Sequence, residues 1–252
     1  MSGESVVIDE RFRGPKDSAN GGYTCGLVGV AAGNPSEVRL RRPPPLGRRL
    51  ELRREADVVR LLDGTDVVAE ARPLERLDLD VPPPVLQAKA AESAAPFDPH
   101  PFSECFVCGP DRAPADGMRV FAGPVRGRDG IFAAPWIPDE SLVDPADPEG
   151  IVRDEFTWAA LDCPTSAPVF PTLPGDRLIV LGTLAVQLHG RPRVGYRYVL
   201  MSWLVSSTEK VRTGGAAVLG ETGDVIAVGR GTWVLVDPAR FASGMTEKHE
   251  GG

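Results

Sequence analysis

The sequence predicts an α+β protein made of two similar halves, each a curved antiparallel sheet wrapped around one central helix. Three observations support this fold class. Short runs of β-branched and alternating apolar residues dominate the chain, and two predicted hairpins resemble each other. One helix candidate also lies well before each hairpin. The same arrangement written twice along 252 residues indicates an internal repeat.

Each predicted hairpin ends its half of the chain. The strand segments are residues 58–62 with 67–69 and residues 216–219 with 225–227. The turns Asp63-Gly64 and Glu221-Thr222-Gly223 both contain a glycine, which supplies the positive φ that such turns need. Because the stretches 61–72 and 218–230 share their pattern, we interpret them as a repeat. A chance similarity of two short strand patterns is the alternative.

The two helix candidates differ in composition. The first, residues 21–32, is rich in glycine (GGYTCGLVGVAA). Each interior glycine costs about 1 kcal/mol relative to alanine, so this helix needs close contact with other backbone to persist. The second, residues 152–163, has apolar side chains three and four residues apart, from Phe156 to Cys163. We expect Pro164 to end or kink it.

Proline marks the joint between the two halves. Residues 81–115 are rich in proline and have no sustained helix or strand periodicity. The sequence therefore predicts an N-terminal unit over residues 1–80, a linker over 81–115 and a C-terminal unit over 116–242. Residues 243–252 offer little to bury and are predicted to form a flexible tail.

Charge and composition exclude several classes of function. A net charge of -7 and a pI near 5.1 oppose binding to phosphate backbones, so nucleic acid is not an expected partner. No stretch approaches the roughly 18 apolar residues of a membrane-spanning helix. Residues 1–9 show no export signal, which predicts a cytoplasmic protein. The 4 cysteines are too few for a disulfide scaffold and are expected to be reduced.

Four short segments resemble one known family. Residues 12–15 (FRGP) and 20–26 (NGGYTCG) resemble the start of the first hotdog unit in the acyl-CoA thioesterase II family. Residues 158–162 (WAALD) resemble that family's second helix, which carries a catalytic aspartate. Residues 182–184 (GTL) resemble the strand that carries its catalytic threonine. The resemblance implies a double hotdog, in which one chain already forms the pair of units that single-hotdog proteins build from two chains. A homo-oligomer is compatible with this but not required.

The resemblance also implies hydrolysis of an acyl-CoA or a related thioester, without a cofactor or metal. Thioester hydrolysis needs a water aimed at the carbonyl carbon, a base for its proton, and donors for the oxyanion. In this sequence Asp162 would be the base and Thr183 would hold the water. The N–H groups of Asn20, Gly21 and Gly22, at a helix start, are free donors for the carbonyl oxygen. Burial among apolar neighbours would raise the pKa of Asp162 towards that of a useful base.

One departure from the family leaves a second function open. The family's glutamine on the last strand is absent from residues 227–233, where Arg230 and Thr232 are the candidates to replace it. The alternative is a non-catalytic double hotdog that binds an acyl group or a protein partner. Asp162 could also be a helix-terminal carboxylate bonded to nearby backbone, and Thr183 an ordinary strand threonine. A hotdog hydratase is disfavoured because no histidine lies beside either helix candidate.

The motif Cys105-Phe106-Val107-Cys108 is half of a zinc-binding pattern. No second pair follows, so Cys163 and His100 would have to complete such a site from a distance. A thioredoxin-like role lacks its βαβ context. We therefore interpret the motif as a turn that packs the linker onto the second half, and we expect no metal.

Arginines are densest between residues 39 and 54. They could meet the phosphates of coenzyme A. Their alternation with apolar residues favours instead the solvent-facing side of strands.

Overall fold

The computed structural model describes residues 4–175 and 177–237, so the predicted tail at 243–252 lies outside the described residues. Within these ranges the chain forms eleven strands and three α-helices, the predicted α+β architecture. The helices are α1 (Gly21–Ala32), α2 (Gln87–Ser93) and α3 (Asp154–Ser166). The strands are β1 (Glu4–Val7), β2 (Ser36–Leu40), β3 (Arg49–Glu55), β4 (Val58–Asp63), β5 (Asp66–Pro73), β6 (Gly123–Pro124), β7 (Ile131–Trp136), β8 (Leu178–Leu188), β9 (Tyr198–Ser207), β10 (Val211–Leu219) and β11 (Val225–Val236). None of these helices is long and apolar enough to cross a membrane.

The strands form a single antiparallel sheet in the order β1-β3-β4-β5-β2-β8-β11-β10-β9-β7-β6. Strands β2 and β8 join the two halves, with Val38 opposite Leu184. Reading outward from this junction gives β2, β5, β4, β3 and β1 on one side and β8, β11, β10, β9 and β7 on the other. In chain order, each half places its long helix after the strand that ends this series, α1 after β1 and α3 after β7. The two halves therefore share one topology, as the repeat predicts.

Both predicted hairpins form, as β4–β5 and β10–β11. In the first, Asp63 pairs with Asp66, so Gly64 and Thr65 make a two-residue turn. Gly64 has φ +61° and Gly223, in the second turn, has φ +87°. Glycine adopts this conformation without the steric cost that a Cβ would add.

The glycine-rich helix α1 packs directly against α3. A Cβ at Gly22 would lie 2.3 Å from the Cβ of Asp162, and one at Gly26 would lie 2.6 Å from the Cα of Glu155. No side chain fits at either position, so the low helix propensity of these glycines is offset by close helix–helix contact. This packing confirms the predicted helix at residues 21–32 and brings the start of α1 to the middle of α3.

Helix α3 continues to Ser166, so of the two expected effects of Pro164, an end or a kink, it does not end the helix. Proline removes one N–H donor from the helix ladder. The hydroxyls of Thr165 and Ser166 donate to the carbonyl oxygens of Asp162 and Cys163, each at 2.7 Å. These bonds keep the last turn hydrogen-bonded around the proline.

The segment predicted as a linker, residues 81–115, is packed rather than free. It contains α2, and Phe106 and Val107 within it are fully buried. The Phe106 N–H donates to the Arg13 carbonyl oxygen at 2.8 Å, and the Phe106 carbonyl oxygen accepts from the Met118 N–H at 2.8 Å. The cysteine-containing turn is thereby part of the core.

Candidate functional site

A cavity of about 320 Å³ lies where the start of α1, the second half of α3, strand β8 and the 81–115 segment meet. Its walls are mostly apolar. The apolar side chains that line it include Leu40, Phe97, Phe170, Ile179 and Leu181. The polar side chains that line it are Ser18, Asn20, Arg41, Arg42, His100, Asp162 and Ser166, together with three cysteine thiols.

Asp162 is held inside this cavity by the start of α1. Asp162 is only 3% exposed to solvent. Oδ2 accepts the Gly22 N–H at 2.8 Å and the Asn20 Nδ2 at 3.1 Å. Because these donors lie at the N-terminus of α1, the helix dipole also favours the carboxylate there. Oδ1 has no hydrogen-bond partner among the described residues.

Asn20 is the N-cap of α1 and orients this contact. Its Oδ1 accepts the Tyr23 N–H at 2.8 Å, which fixes the amide so that its Nδ2 faces Asp162. The partners of Asp162 therefore belong to a helix far away in sequence and not to backbone near Pro164. The local-capping alternative for Asp162 does not describe this geometry.

Burial raises the pKa of Asp162 to about 7. The Gly22 N–H and the Asn20 amide act in the opposite direction because they stabilise the charged form, whereas the nearby Cys105 raises the pKa further. Desolvation is therefore the largest cause of the raised pKa of Asp162. Carboxylates with a pKa raised in this way are typical of functional sites in clefts.

Thr183, Arg230 and Thr232 do not reach the cavity, because they lie on the other face of the sheet. On β11, Gly231 and Trp233 face α3: the Trp233 Nε1 donates to the Thr165 Oγ1 at 3.0 Å, and a Cβ at Gly231 would lie 2.2 Å from that same oxygen. Because side chains alternate along a strand, Arg230 and Thr232 point to the opposite face, away from α3.

The outward positions are occupied by the three residues expected at the site. The Arg230 guanidinium lies 3.5 Å from the Glu37 carboxylate, outside the cavity. Thr183 is opposite Thr232 in the β8–β11 ladder and shares its face. The residues of β8 that line the cavity near this point are Leu181 and Gly182. The structure thus brings Asn20, Gly21, Gly22 and Asp162 together and separates the other three from them. Two of the expected free donors are already used, because the Asn20 N–H donates to the Phe12 carbonyl oxygen at 2.7 Å and the Gly22 N–H donates to Asp162.

Three buried thiols meet beside Asp162. The sulfur atoms of Cys105, Cys108 and Cys163 all lie within 4.8 Å of one another, and all three residues line the cavity. The Cys105 and Cys163 sulfurs are 3.8 Å apart. The turn contacts α3 of the second half through Cys163 and also the first half through the Arg13 carbonyl oxygen, whereas we expected it to pack on the second half alone.

The three thiols differ in the direction in which their pKa values are shifted. Hydrogen bonds from Cys108, Cys163 and the Val107 N–H lower the pKa of Cys105 well below its usual range. The pKa values of Cys108 and Cys163 are raised well above theirs by their contacts with Cys105 and by burial. Cys105 is therefore the thiol most readily ionised.

Two arginines border the same cavity. Arg41 pairs with Glu70 at 2.9 Å and Arg42 pairs with Asp66 at 2.6 Å. Both guanidinium groups remain partly exposed. They belong to the arginine-rich segment whose predicted role was a solvent-facing strand surface, and only the structure shows that these two border the cavity.

Comparisons with known proteins agree on the fold. No protein-family model matches the chain, and no curated protein sequence matches it significantly. The tesB protein of Mycobacterium avium subspecies paratuberculosis aligns over 92% of each chain with a TM-score of 0.58 and 13% identity. A candidate thioesterase II from Thermobifida fusca YX aligns over 91% of this chain and 92% of its own, with a TM-score of 0.59 and 15% identity. Together with the repeated topology, these alignments show that the chain has the thioesterase II-like double-hotdog fold.

Proposed function

We propose that the protein hydrolyses an acyl-CoA or a related thioester, with Asp162 as the base that activates water. The observation that carries this proposal is the position of Asp162. It lies in a mostly apolar cavity, held through Oδ2 by two donors on α1, with Oδ1 unpartnered among the described residues. Nothing else at the described site places a free carboxylate oxygen beside a helix N-terminus.

The chemistry follows from this arrangement. A water within reach of Oδ1 gives its proton to Asp162 as its oxygen attacks the thioester carbonyl carbon. Asn20 and Gly22 keep the carboxylate in place, so the carboxylate does not rotate away during the step. The first N–H of α1, at Gly21, has no helical acceptor and borders the cavity, so it is the candidate donor to the oxyanion. The intermediate collapses when its C–S bond breaks, which releases the acid. The leaving sulfur takes the proton from Asp162 and departs as the thiol.

The cavity suits the two ends of such a substrate. Ligand sites commonly enclose about 300–1,000 Å³, and the apolar walls of this cavity would receive the acyl chain. Arg41 and Arg42 border the cavity and offer guanidinium groups for phosphates of the carrier. Thr183, Arg230 and Thr232 have no part in this proposal, because they lie on the opposite face of the sheet.

Thiol release from a panel of short, medium and long acyl-CoAs tests the proposal. We expect turnover by the native protein, with kcat reduced by roughly 10²- to 10⁴-fold in Asp162→Asn, the usual loss for a missing general base. Asparagine has the same shape and can still accept the Gly22 N–H, so the variant should fold. Unchanged turnover in Asp162→Asn would remove Asp162 from the reaction.

A non-catalytic acyl-binding protein is the second candidate, and one observation favours it. The strand residues expected to help position the water point away from the cavity. This candidate predicts no turnover of any acyl-CoA above background, together with a rise in Tm when acyl-CoA is added.

A further inference from the structure

We infer that Cys105, Cys108 and Cys163 form a Zn²⁺ site at the wall of the cavity. Two of these thiols come from the 81–115 segment and the third from α3, and all three are buried. In a tetrahedral site with Zn–S bonds of about 2.3 Å, neighbouring sulfurs lie about 3.8 Å apart. The Cys105 and Cys163 sulfurs are separated by 3.8 Å, and all three sulfurs lie within 4.8 Å of one another. The thiols are therefore already spaced for one tetrahedral ion.

The backbone around Cys105 is arranged to support a thiolate. The N–H groups of Val107 and Cys108 lie close enough to the Cys105 sulfur to favour its charged form. The Gly109 N–H donates to the Cys105 carbonyl oxygen at 2.8 Å, and a Cβ at Gly109 would lie 2.5 Å from that oxygen. The turn thus closes tightly on the backbone of Cys105, which leaves no room for a Cβ at position 109. Such N–H donors to a ligand sulfur are the outer-shell contacts that metal sites use.

A further donor reaches the cluster from α1. The Asn20 Nδ2 lies 3.7 Å from the Cys105 sulfur, and this same amide contacts Asp162. Cys105 therefore accepts contacts from the turn and from α1, while its sulfur also faces Cys108 and Cys163. Three elements of the fold converge on one sulfur.

The donor set selects the class of metal. Three thiolates suit Zn²⁺ and other soft or borderline ions, whereas Mg²⁺ and Ca²⁺ require oxygen ligands. Each coordinating thiol loses its proton to solvent when the ion binds. Free Cys25 is buried on α1 and lies outside the cluster.

The fourth coordination position is left to a water or ligand from the cavity. His100 borders the cavity, but its Nδ1 accepts the Phe102 N–H at 3.0 Å. Its proton is then on Nε2, which cannot bind a metal in that form. Asp162 has an unpartnered Oδ1, but its carboxylate does not belong to the group of ligand atoms within 4.8 Å of one another, which among the described residues contains the three sulfurs alone. We therefore assign three protein ligands, and this inference stands independently of the proposed hydrolysis.

The test is the metal content of the full chain, purified with a reducing agent and without chelators. Mass spectrometry of the metal is expected to find about one Zn²⁺ per chain. Cys105→Ser, Cys108→Ser and Cys163→Ser should each lose most of it, whereas the matched control Cys25→Ser should keep it. His100→Gln should also keep its zinc. Loss of zinc in this variant would overturn the assignment of the fourth coordination position to a water or ligand from the cavity.

A second measurement does not depend on any variant folding. Co²⁺ added to the metal-free, reduced native chain should saturate at about one ion per chain and give thiolate-to-cobalt absorption bands. A reduced chain that carries no zinc and develops no such bands would overturn the inference. Zinc content unchanged in all three cysteine variants would overturn it as well.

Discussion

At the scale of single residues, Asn20 links the folding of α1 to the chemistry of Asp162. Its Oδ1 caps the helix through the Tyr23 N–H, and its Nδ2 donates to Asp162. One side chain therefore performs a structural task and a positioning task through different atoms. A substitution that keeps the helix cap but removes the donor to Asp162 can separate the structural task from the positioning task.

We predict that Asn20→Ser keeps the helix cap but lowers kcat. Serine is an equally good N-cap, but its side chain is too short to reach Asp162. A hydrogen bond to a charged group contributes about 1.5–3 kcal/mol, so kcat should fall roughly ten- to a hundredfold. Thiol release and thermal unfolding of the same preparations measure the two effects.

Asn20→Ala is the matched control for this prediction. It removes the cap as well, so it should show the same loss of kcat with an additional loss of about 1 kcal/mol in the free energy of unfolding. A native kcat in Asn20→Ser would mean that the amide does not position Asp162.

At the scale of the elements, α1 and α3 pack so closely that glycine is required between them. The Cβ of an alanine at position 22 would overlap the Cβ of Asp162. We predict that Gly22→Ala lowers the free energy of unfolding by about 1–3 kcal/mol through overpacking, despite alanine's better helix propensity. Urea denaturation measures this change.

Val30→Ala on the exposed side of the same helix is the control. Surface substitutions usually change stability by less than about 0.5 kcal/mol. If Gly22→Ala were as mild as Val30→Ala, the close approach of α1 and α3 would not hold in solution.

Strand β8 shows what could and could not be predicted from the sequence. The strand itself, both hairpins and the glycine-rich helix follow from local patterns of apolar residues and turn glycines. The face on which Thr183 lies does not, because β8 contains a bulge: Thr183 pairs with Thr232, but Leu181 pairs with Trp233, which leaves Gly182 as an extra residue. One extra residue exchanges the two faces of a strand beyond it.

Contacts between residues far apart in the sequence could not be predicted either. The hydrogen bonds from Asn20 and Gly22 to Asp162 span 142 and 140 residues. The sequence marked these residues as candidates, but no local pattern indicates which of them touch. For the same reason the sequence showed Cys105 and Cys108 as a pair and named Cys163 and His100 only as distant candidates, and the packing of α3 is what brings Cys163 to the pair.

At the scale of the whole molecule, the two halves share one sheet and one helix–helix contact. Strands β2 and β8 pair across the junction, and α1 packs on α3 behind it. Separating the halves would expose both strand edges and the apolar faces of both helices. The halves should therefore unfold together.

We predict a single unfolding transition in urea, seen identically by two probes. All 4 tryptophans lie at position 136 or later, so their fluorescence reports on the second half and, through Trp158 packed on Gly29, on the contact between α1 and α3. Far-ultraviolet circular dichroism reports on both halves. Coincident transitions indicate one cooperative unit. Transitions that do not coincide would show that the two halves do not unfold as one unit.

The central claim, that Asp162 is the base in thioester hydrolysis and Thr183 is not involved, is tested most directly by kcat for one good acyl-CoA substrate. Native protein, Asp162→Asn and Thr183→Ala are compared at saturating substrate. We expect a loss of roughly 10²- to 10⁴-fold in Asp162→Asn and nearly native kcat in Thr183→Ala, whose side chain lies on the opposite face of the sheet. An equally large loss in Thr183→Ala, or full activity in Asp162→Asn, would contradict this account of the site.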